Sequence, residues 1–142
     1  MFEVRNLSIS FKTEYALVSA VKGVNFKVGK GRSLGLVGES GSGKSVTALA
    51  IMQLLPPTSI INEGIINFDG TDLLGLDRAS IRKYRGNRIS MIFQEPMTSL
   101  NPVMRCGKQV AEVILEHQKV DKKTAKKMVI ELFVRVKLPR PE

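Results

Sequence analysis

The chain has 142 residues, of which 43% are hydrophobic and 25% are charged, and its formal net charge is +9. This is the length and composition of one globular domain with a sizeable core, and no apolar run approaches the ~20 residues of a membrane-spanning helix or forms a signal peptide at the N-terminus. The single cysteine, Cys106, excludes an internal disulfide framework and is expected to pack in the interior.

The N-terminal part of the chain is predicted to consist mainly of strands. Apolar and polar residues nearly alternate in residues 1–10 and again in 23–31, as in half-buried strands. Residues 33–37, "SLGLV", are shorter and apolar throughout, which is typical of a central strand covered on both faces. Residues 44–55 contain helix formers until a pair of prolines follows, so a helix is expected there.

The middle of the chain continues the alternation of strands and helices. Residues 64–70, "GIINFDG", predict a strand followed by an Asp-Gly turn. Asp77 can cap a short helix that runs to Tyr84, and residues 88–93, "RISMIF", predict another apolar strand. This order of elements predicts an α/β core with antiparallel strands near the N-terminus, followed by a helical extension.

The C-terminal third is predicted to be helical. Residues 107–118 have a helical pattern, and a second helix is expected to begin at its N-cap, Asp121, and to end before Pro139. The spacing of its apolar residues predicts one buried face, at positions 125, 128, 129, 132, 133 and 136.

The same region carries a concentration of positive charge. Eight basic residues lie between Lys119 and Arg140, opposed only by Asp121 and Glu131. Because no aromatic residues interleave with them, a solvated helix face is favoured over a nucleic-acid site. An anionic nucleotide and a membrane surface are the alternative partners for this charge.

Residues 38–45, "GESGSGKS", match the pattern G-x-x-x-x-G-K-[ST] in full, between a predicted strand and a predicted helix. The glycines let backbone N–H groups close around phosphate oxygens, and the following helix directs unpaired N–H groups at the same anion. Lys44 adds charge for the β- and γ-phosphates, and the Ser45 hydroxyl suits Mg²⁺. The sequence therefore predicts a nucleotide-phosphate site formed by Gly38, Glu39, Ser40, Gly41, Ser42, Gly43, Lys44, Ser45 and Val46.

Two longer stretches resemble the ATP-binding subunits of ABC transporters, most of all the dipeptide, oligopeptide and nickel importer group. They are residues 35–55, which contain "GESGSGKSV", and residues 89–117, which contain "FQEPMTSLNP". The resemblance implies a P-loop NTPase of the α/β class, with an ABC-type nucleotide-binding core in residues 1–95. Residues 96–142 would then be the beginning of a helical subdomain.

The resemblance also assigns roles to single residues. Gln94 corresponds to the Q-loop glutamine, which contacts Mg²⁺ and the attacking water, so Gln94 and Lys44 are the catalytic candidates and Ser45 and Gln94 the metal candidates. Tyr15 is the candidate for stacking on adenine, with Phe11 as its rival.

The implied partners are ATP or ADP with Mg²⁺, the transporter's membrane subunits and a second, identical or related ATP-binding subunit, at the cytoplasmic face of the membrane. The implied function is to energise the import of peptides or nickel, and no nucleic acid is expected. Apolar residues in 97–104 are expected either to contact a membrane subunit or to cover the domain's own core, and they are Met97, Leu100, Val103 and Met104.

Three motifs of this family have no match in the sequence: the LSGGQ-type signature, a strand ending in Asp-Glu and a switch histidine. Asp69 follows an apolar run too early in the chain and precedes Gly70 rather than a glutamate, while His117 precedes the place of the signature and is expected at a solvated helix position. The chain therefore resembles the N-terminal part of a longer subunit and is expected to be inactive alone.

Other readings remain open at this point. Residues 72–75, "DLLG", match the D-x-x-G of GTPases, although no N-K-x-D follows. A small-molecule kinase would show an arginine-bearing lid instead of the glutamine-containing stretch. A fragment that binds a nucleotide or a partner without catalysis is the third alternative.

Overall fold

In the computed structural model, which describes residues 1–94 and 99–139, strand β1 (Phe2–Lys12) is at the centre of an antiparallel sheet. It pairs with β2 (Leu17–Val28) on one side and with β3 (Ser59–Phe68) on the other. The short strand β4 (Thr71–Asp72) continues from β3, so the order across the sheet is β2-β1-β3-β4. The antiparallel N-terminal strands expected from the alternating pattern are confirmed, although β2 begins six residues and β3 five residues before the predicted start.

One face of this sheet is the core of the unit formed by Met1–Arg82. Since side chains alternate across a strand, the apolar residues of β1 and its neighbours point to one side and are excluded from water. The helices α1 (Lys44–Ile51) and α2 (Arg78–Arg82) belong to the same unit. Its fully buried large side chains are Val4, Leu7, Ile9, Ile66, Leu73 and Ile81.

One predicted turn and one predicted helix cap in this unit are confirmed. Asp69 and Gly70 join β3 to β4 with positive φ values of 49° and 90°, as the Asp-Gly pair predicts. Asp77 caps α2, because its Oδ1 accepts a hydrogen bond of 2.8 Å from the N–H of Ser80. The helix itself ends at Arg82, two residues before the predicted end.

The two predicted apolar strands are absent from the described part of the chain. Residues 33–37 have no strand pairing and are exposed, and residues 88–93 contain only one isolated bridge, between Arg85 and Ile89. A strand exists only where another strand takes up its backbone hydrogen bonds, and no neighbour does so here. The prediction of strands in these two segments from apolar composition alone was therefore wrong.

Helix α1 is shorter than the sequence predicts. It ends at Ile51, four residues before the predicted end, because Gln53 takes a positive φ of 49° that no helix continues. The amide Nε2 of Gln53 then donates to the carbonyl oxygen of Leu76 at 3.2 Å and also to that of Leu73. The chain leaving α1 is thereby attached to the segment that follows β4.

The second unit, Lys83–Glu142, contains α3 (Cys106–His117) and α4 (Lys122–Arg135), both close to their predicted bounds. The two helices pack through a small apolar cluster in which Ile114, Ala125 and Val129 are buried. Asp121 is the N-cap of α4 as predicted, and its Oδ1 accepts a 2.9 Å hydrogen bond from the N–H of Thr124. Hydrogen bonds from the side chain and then the backbone of Thr124 lower the pKa of Asp121.

Single residues of this unit differ from the sequence predictions. Cys106 is exposed at the first position of α3 rather than packed in the interior. His117 is half-buried rather than solvated. Its ring lies close to Gly86, where a Cβ atom would be 3.1 Å from the His117 Nε2. Of the predicted apolar face of α4, Leu132 is partly exposed and Val136 lies beyond the helix, exposed.

The two units are divided after Arg82, whereas the sequence places a boundary between residues 95 and 96. Residues 95 and 96 lie outside the described residues, so the predicted boundary stays a prediction. Among the described residues, no helix is both long and apolar enough to cross a bilayer.

Candidate functional site: the glycine-rich loop before α1

The loop of residues 38–43 joins the exposed segment 33–37 to the first turn of α1. Gly43 is the N-cap of α1, with φ 86° and ψ 1°, a left-handed conformation that only glycine adopts without strain. Gly43 is also in close contact with β2, because a Cβ at this position would lie 2.6 Å from the carbonyl oxygen of Ala20. Both features require glycine at the end of the loop.

The Lys44 ammonium group is enclosed by this loop. Its Nζ donates hydrogen bonds of 2.7 Å to the carbonyl oxygens of both Gly38 and Glu39, and one of 2.9 Å to the Ser42 hydroxyl. The loop thus wraps around a fixed positive charge at the start of a helix. This arrangement is chemically suited to an anion.

The first turn of α1 adds uncharged donors to the same place. The first N–H groups of a helix have no partner inside the helix, and its N-terminal end carries a partial positive charge. Ser45 is exposed on this turn, so its hydroxyl can reach a ligand. Backbone donors, an ammonium and a hydroxyl together fit the phosphates of a nucleotide with Mg²⁺.

Sequence reasoning missed Thr47, which fixes the geometry of this turn. Its side chain is buried, and both its hydroxyl and its N–H donate to the carbonyl oxygen of Gly43 at 2.9 Å. The Gly43 carbonyl is therefore held toward the helix. A threonine at the fourth position of a helix gives no signal of this kind, because it also occurs on solvated faces.

The acidic residues Asp69 and Asp72 have structural contacts in the described part of the chain. The described part of the chain has no group of three or more His, Cys, Asp or Glu side chains that could hold a metal ion. Asp69 is held at the β3–β4 turn by the N-terminal ammonium of Met1. Asp72, in the GTPase-like "DLLG", accepts hydrogen bonds of 3.2 Å from the N–H groups of Ile66 and Leu74, which is a structural role.

The two aromatic candidates for base stacking differ in their surroundings. Tyr15 is 94% exposed in the turn between β1 and β2. Phe11 is half-buried in β1, opposite Val18 and Ser59 of the neighbouring strands. Tyr15 is thus available to a ligand, and Phe11 contributes to the sheet.

Gln94 lies in the second unit and is exposed, and its role stays a prediction. Of the apolar residues expected in 97–104, Leu100 and Val103 are exposed, Met104 is half-buried and Met97 lies outside the described residues.

Gln109 holds residues 101–104 against α3. Its Oε1 accepts from the N–H of Asn101 at 2.9 Å, and its Nε2 donates to the carbonyl oxygens of Asn101 and Met104 at 3.0 Å. Sequence reasoning also missed this residue; the Asn-Pro pair at 101 marks the turn but not the glutamine that braces it.

Comparison with known proteins shows which sequences and structures this chain resembles. The sequence model of the family described as ABC transporter matches residues 21–139. The Oligopeptide transport ATP-binding protein OppD of Bacillus subtilis (strain 168) is 51% identical over 100% of this chain. The Dipeptide transport ATP-binding protein DppD of Lactococcus lactis subsp. cremoris (strain MG1363) is 48% identical, again over 100% of this chain.

The chain is shorter than these relatives: it spans 40% of the length of the former and 41% of the latter. Among solved structures, a dimeric structure of MJ0796, described as a bacterial ABC transporter cassette, matches with a TM-score of 0.81 and 23% identity. The match covers 99% of this chain and 59% of that one. A second structure of the same cassette, bound to ADP and Pi, gives a TM-score of 0.79 at 22% identity. The fold is therefore that of part of an ATP-binding cassette.

Proposed function

The chain belongs to the ABC transporter family, and from this premise we propose that it is the nucleotide-binding part of an ATPase that energises peptide import. The peptide class follows from relatives whose names specify oligopeptide or dipeptide transport. Nickel, the other solute of the group that the sequence resembles, is the alternative cargo.

The observation that carries the nucleotide proposal is the position of the Lys44 ammonium inside the glycine-rich loop. Lysine is free to extend into solvent from an exposed helix end, yet here its Nζ has three oxygen partners in the loop. These oxygens use all three N–H groups of the ammonium, so a phosphate group entering the loop would replace one or more of them as a charge-assisted hydrogen-bond acceptor.

The remaining roles are proposals for other residues of the chain. We infer that the backbone of residues 38–46 surrounds the phosphates and that the Ser45 hydroxyl ligates Mg²⁺. Gln94 would approach the metal and the attacking water, and Tyr15 would stack on adenine. Bound Mg²⁺ supplies charge neutralisation at the phosphates, and phosphoryl transfer depends mainly on such positioning and electrostatic stabilisation.

For the whole subunit, we propose that two ATP-binding subunits act together on transporter membrane subunits at the cytoplasmic face of the membrane. Leu100 and Val103 are candidates for the contact with a membrane subunit, because both are apolar and exposed on a segment that Gln109 braces.

Isothermal titration of the purified chain with ATP tests the nucleotide proposal. Lys44→Ala should weaken binding by about 1.5–3 kcal/mol, the range for hydrogen bonds to charged groups. Lys30→Ala, which removes an exposed lysine elsewhere in the same unit, is the matched control and should leave the affinity unchanged. Equal affinities of the Lys44 variant and the wild type, with both folded, would contradict the proposal.

The same proteins test whether the 142 residues hydrolyse ATP. General-base catalysis contributes about 10²–10⁴-fold, and the carboxylates that the family uses for this step have no counterpart among the predicted site residues. We therefore expect the chain to bind ATP but to release phosphate no faster than Lys44→Ala does. Magnesium-dependent phosphate release well above that level would show that the catalytic residues are misassigned.

A further inference from the structure

The buried face of α1 contains a polar residue. Thr47 and Ala50 are the buried residues of this helix, and Thr47 is only 3% exposed. Threonine is a weaker helix former than alanine, and removing its hydroxyl from water is costly unless the hydroxyl finds a hydrogen-bond partner. Alanine or leucine would suit a buried helix position better on both counts, so the threonine needs a reason of its own.

The partner of the Thr47 hydroxyl is the carbonyl oxygen of Gly43. The hydroxyl donates to this oxygen at 2.9 Å, and the N–H of Thr47 donates to the same oxygen, also at 2.9 Å. A carbonyl oxygen has two lone pairs and can accept from both donors. The bond from the N–H belongs to the helix, whereas the bond from the hydroxyl goes beyond what helix formation requires.

Gly43 is a residue that needs such restraint. It is the N-cap of α1 in a left-handed conformation, and glycine has a wider range of backbone conformations than any other residue. It also approaches β2 closely, since a Cβ at Gly43 would lie 2.6 Å from the carbonyl oxygen of Ala20 and 3.1 Å from Cγ2 of Val21. Packing on β2 limits where Gly43 can move, and the two hydrogen bonds from Thr47 limit how its carbonyl group can rotate.

The direction of the Gly43 carbonyl group determines that of the next N–H group. A trans peptide unit is planar, so its C=O and N–H bonds point in opposite directions. The Gly43 oxygen points into α1 toward Thr47, and the N–H of Lys44 therefore points out of the N-terminal end of the helix. This N–H is one of those that a helix leaves without an internal partner, and the loop encloses the ammonium of the same residue.

We propose that Thr47 is a positioning residue of the phosphate site. Its buried hydroxyl keeps the Gly43–Lys44 peptide in the orientation in which the Lys44 N–H can donate to a bound phosphate oxygen. Thr47 acts through this peptide and not by touching the ligand, because its side chain is on the buried face of α1. This role rests on the proposed nucleotide function, and it makes the affinity for ATP depend on the Thr47 hydroxyl rather than on the size of the side chain.

Two pairs of proteins that differ in this hydroxyl test the dependence. Isothermal titration with ATP and Mg²⁺ compares the wild type with Thr47→Val, which has nearly the same shape, and Thr47→Ser with Thr47→Ala. The protein without the hydroxyl should bind ATP about three- to tenfold more weakly in each pair, the range for the net contribution of one hydrogen bond. Thr47→Ser should restore most of the affinity that Thr47→Val loses.

Ser10→Ala is the matched control, because it removes another buried hydroxyl from the same unit. Ser10 is 6% exposed, and its hydroxyl donates to Oδ1 of Asn62 at 2.8 Å, within the sheet. This variant should lower the urea stability and leave the affinity for ATP unchanged. Circular dichroism shows which variants are folded at the titration temperature; if Thr47→Val is not, the comparison of Thr47→Ser with Thr47→Ala decides.

A second measurement reports on the peptide without a ligand. The NMR order parameter of the Lys44 N–H should be lower in Thr47→Val than in the wild type and in Thr47→Ser, because the hydroxyl no longer restrains the peptide. Equal order parameters in the three proteins would overturn the restraint.

The titrations separate a failure of this role from a failure of the nucleotide proposal. If the wild type binds ATP and the affinities are equal within both pairs, Thr47 does not position the site, and the nucleotide proposal stands. An equal loss of affinity in Ser10→Ala would also overturn the role, since it would assign the effect to stability. If the wild type binds no ATP, the nucleotide proposal fails and the role of Thr47 fails with it.

Discussion

Gly43 and Gly41 are two glycines of one loop that are required for different reasons. Both have positive φ values, 86° and 81°, so a side chain at either position strains the backbone. Only Gly43 is also in contact with its surroundings, because a Cβ there would meet the Ala20 carbonyl oxygen, while nothing lies within 4 Å of the corresponding point at Gly41. Mutation can therefore separate the effect of the backbone conformation on stability from the effect of the contact.

Gly43→Ala should lower the free energy of unfolding by about 1–3 kcal/mol more than Gly41→Ala does, since only the former adds an overpacked contact to the strained backbone. Gly41→Ala should cost about 1–2 kcal/mol, the penalty for a left-handed residue. Urea unfolding of the two variants measures the difference. Equal costs would mean that the contact with β2 relaxes freely.

Tyr15 is suited to a ligand contact because its ring makes little contact with its own chain. Tyr15→Ala should leave urea stability unchanged and weaken ATP and GTP alike by about 1–3 kcal/mol, the range for stacking of a base on an aromatic ring. Phe11→Ala should instead reduce stability, because Phe11 is half-buried in the central strand. Unchanged nucleotide affinity in the Tyr15 variant would leave Phe11, or no aromatic residue, as the stacking partner.

Among the secondary-structure elements, helices were predicted more reliably than the isolated apolar strands. The reason is that the backbone hydrogen bonds of a helix lie within the helix, whereas those of a strand need a second strand. Helices α3 and α4 satisfy their backbones internally, so a capping residue and a 3.6-residue period are sufficient signals. Strands β1 and β2 are joined by a short turn, whereas β3 pairs with β1 from far along the chain. All three have partners among the described residues, so their patterns led to correct predictions. Residues 33–37 and 88–93 need partners that the described residues do not supply.

The candidate site was predictable from sequence for a similar reason. A contiguous loop of glycines, a lysine and a serine carries its whole pattern in eight residues, so the sequence alone predicts a loop with positive φ values next to Lys44, and the structure has such a loop. Thr47 and Gln109 were missed, because their importance depends on which carbonyl groups their side chains reach. Such contacts are set by tertiary geometry and leave no local signal.

Asp121 makes the stability of α4 dependent on pH. Its pKa is lowered in the folded chain by hydrogen bonds from Thr124, so its contribution is present above the unfolded pKa and is lost as the pH falls through the folded pKa. Asp121→Asn keeps an oxygen that can accept the N–H of Thr124 but removes the titration.

Urea unfolding at several pH values measures this contribution. From about pH 5 down to about pH 3, the wild type should lose more stability than Asp121→Asn, since the other carboxylates titrate in both proteins. Parallel pH profiles would show that the charge of Asp121 does not stabilise the cap.

At the scale of the whole molecule, several large apolar side chains of the described residues are exposed. Val37 is 95% exposed just before the glycine-rich loop, and Ile92 is 93% exposed in the second unit. Contiguous apolar patches on soluble proteins commonly mark surfaces that another chain or segment covers. A high positive charge opposes self-association, because identical molecules repel each other.

The balance between these two effects decides the association state of the chain, and we expect the apolar surface to dominate in moderate salt, where the repulsion is screened. Sedimentation velocity should then show dimers or larger species, and Val37→Lys or Ile92→Lys should shift the distribution toward monomer. The matched controls Ser33→Lys and Ser90→Lys add the same charge at exposed polar positions of the same two segments. If all four variants change the distribution equally, net charge governs association and the apolar segments do not. If the wild type is already monomeric, the exposed apolar residues do not drive self-association.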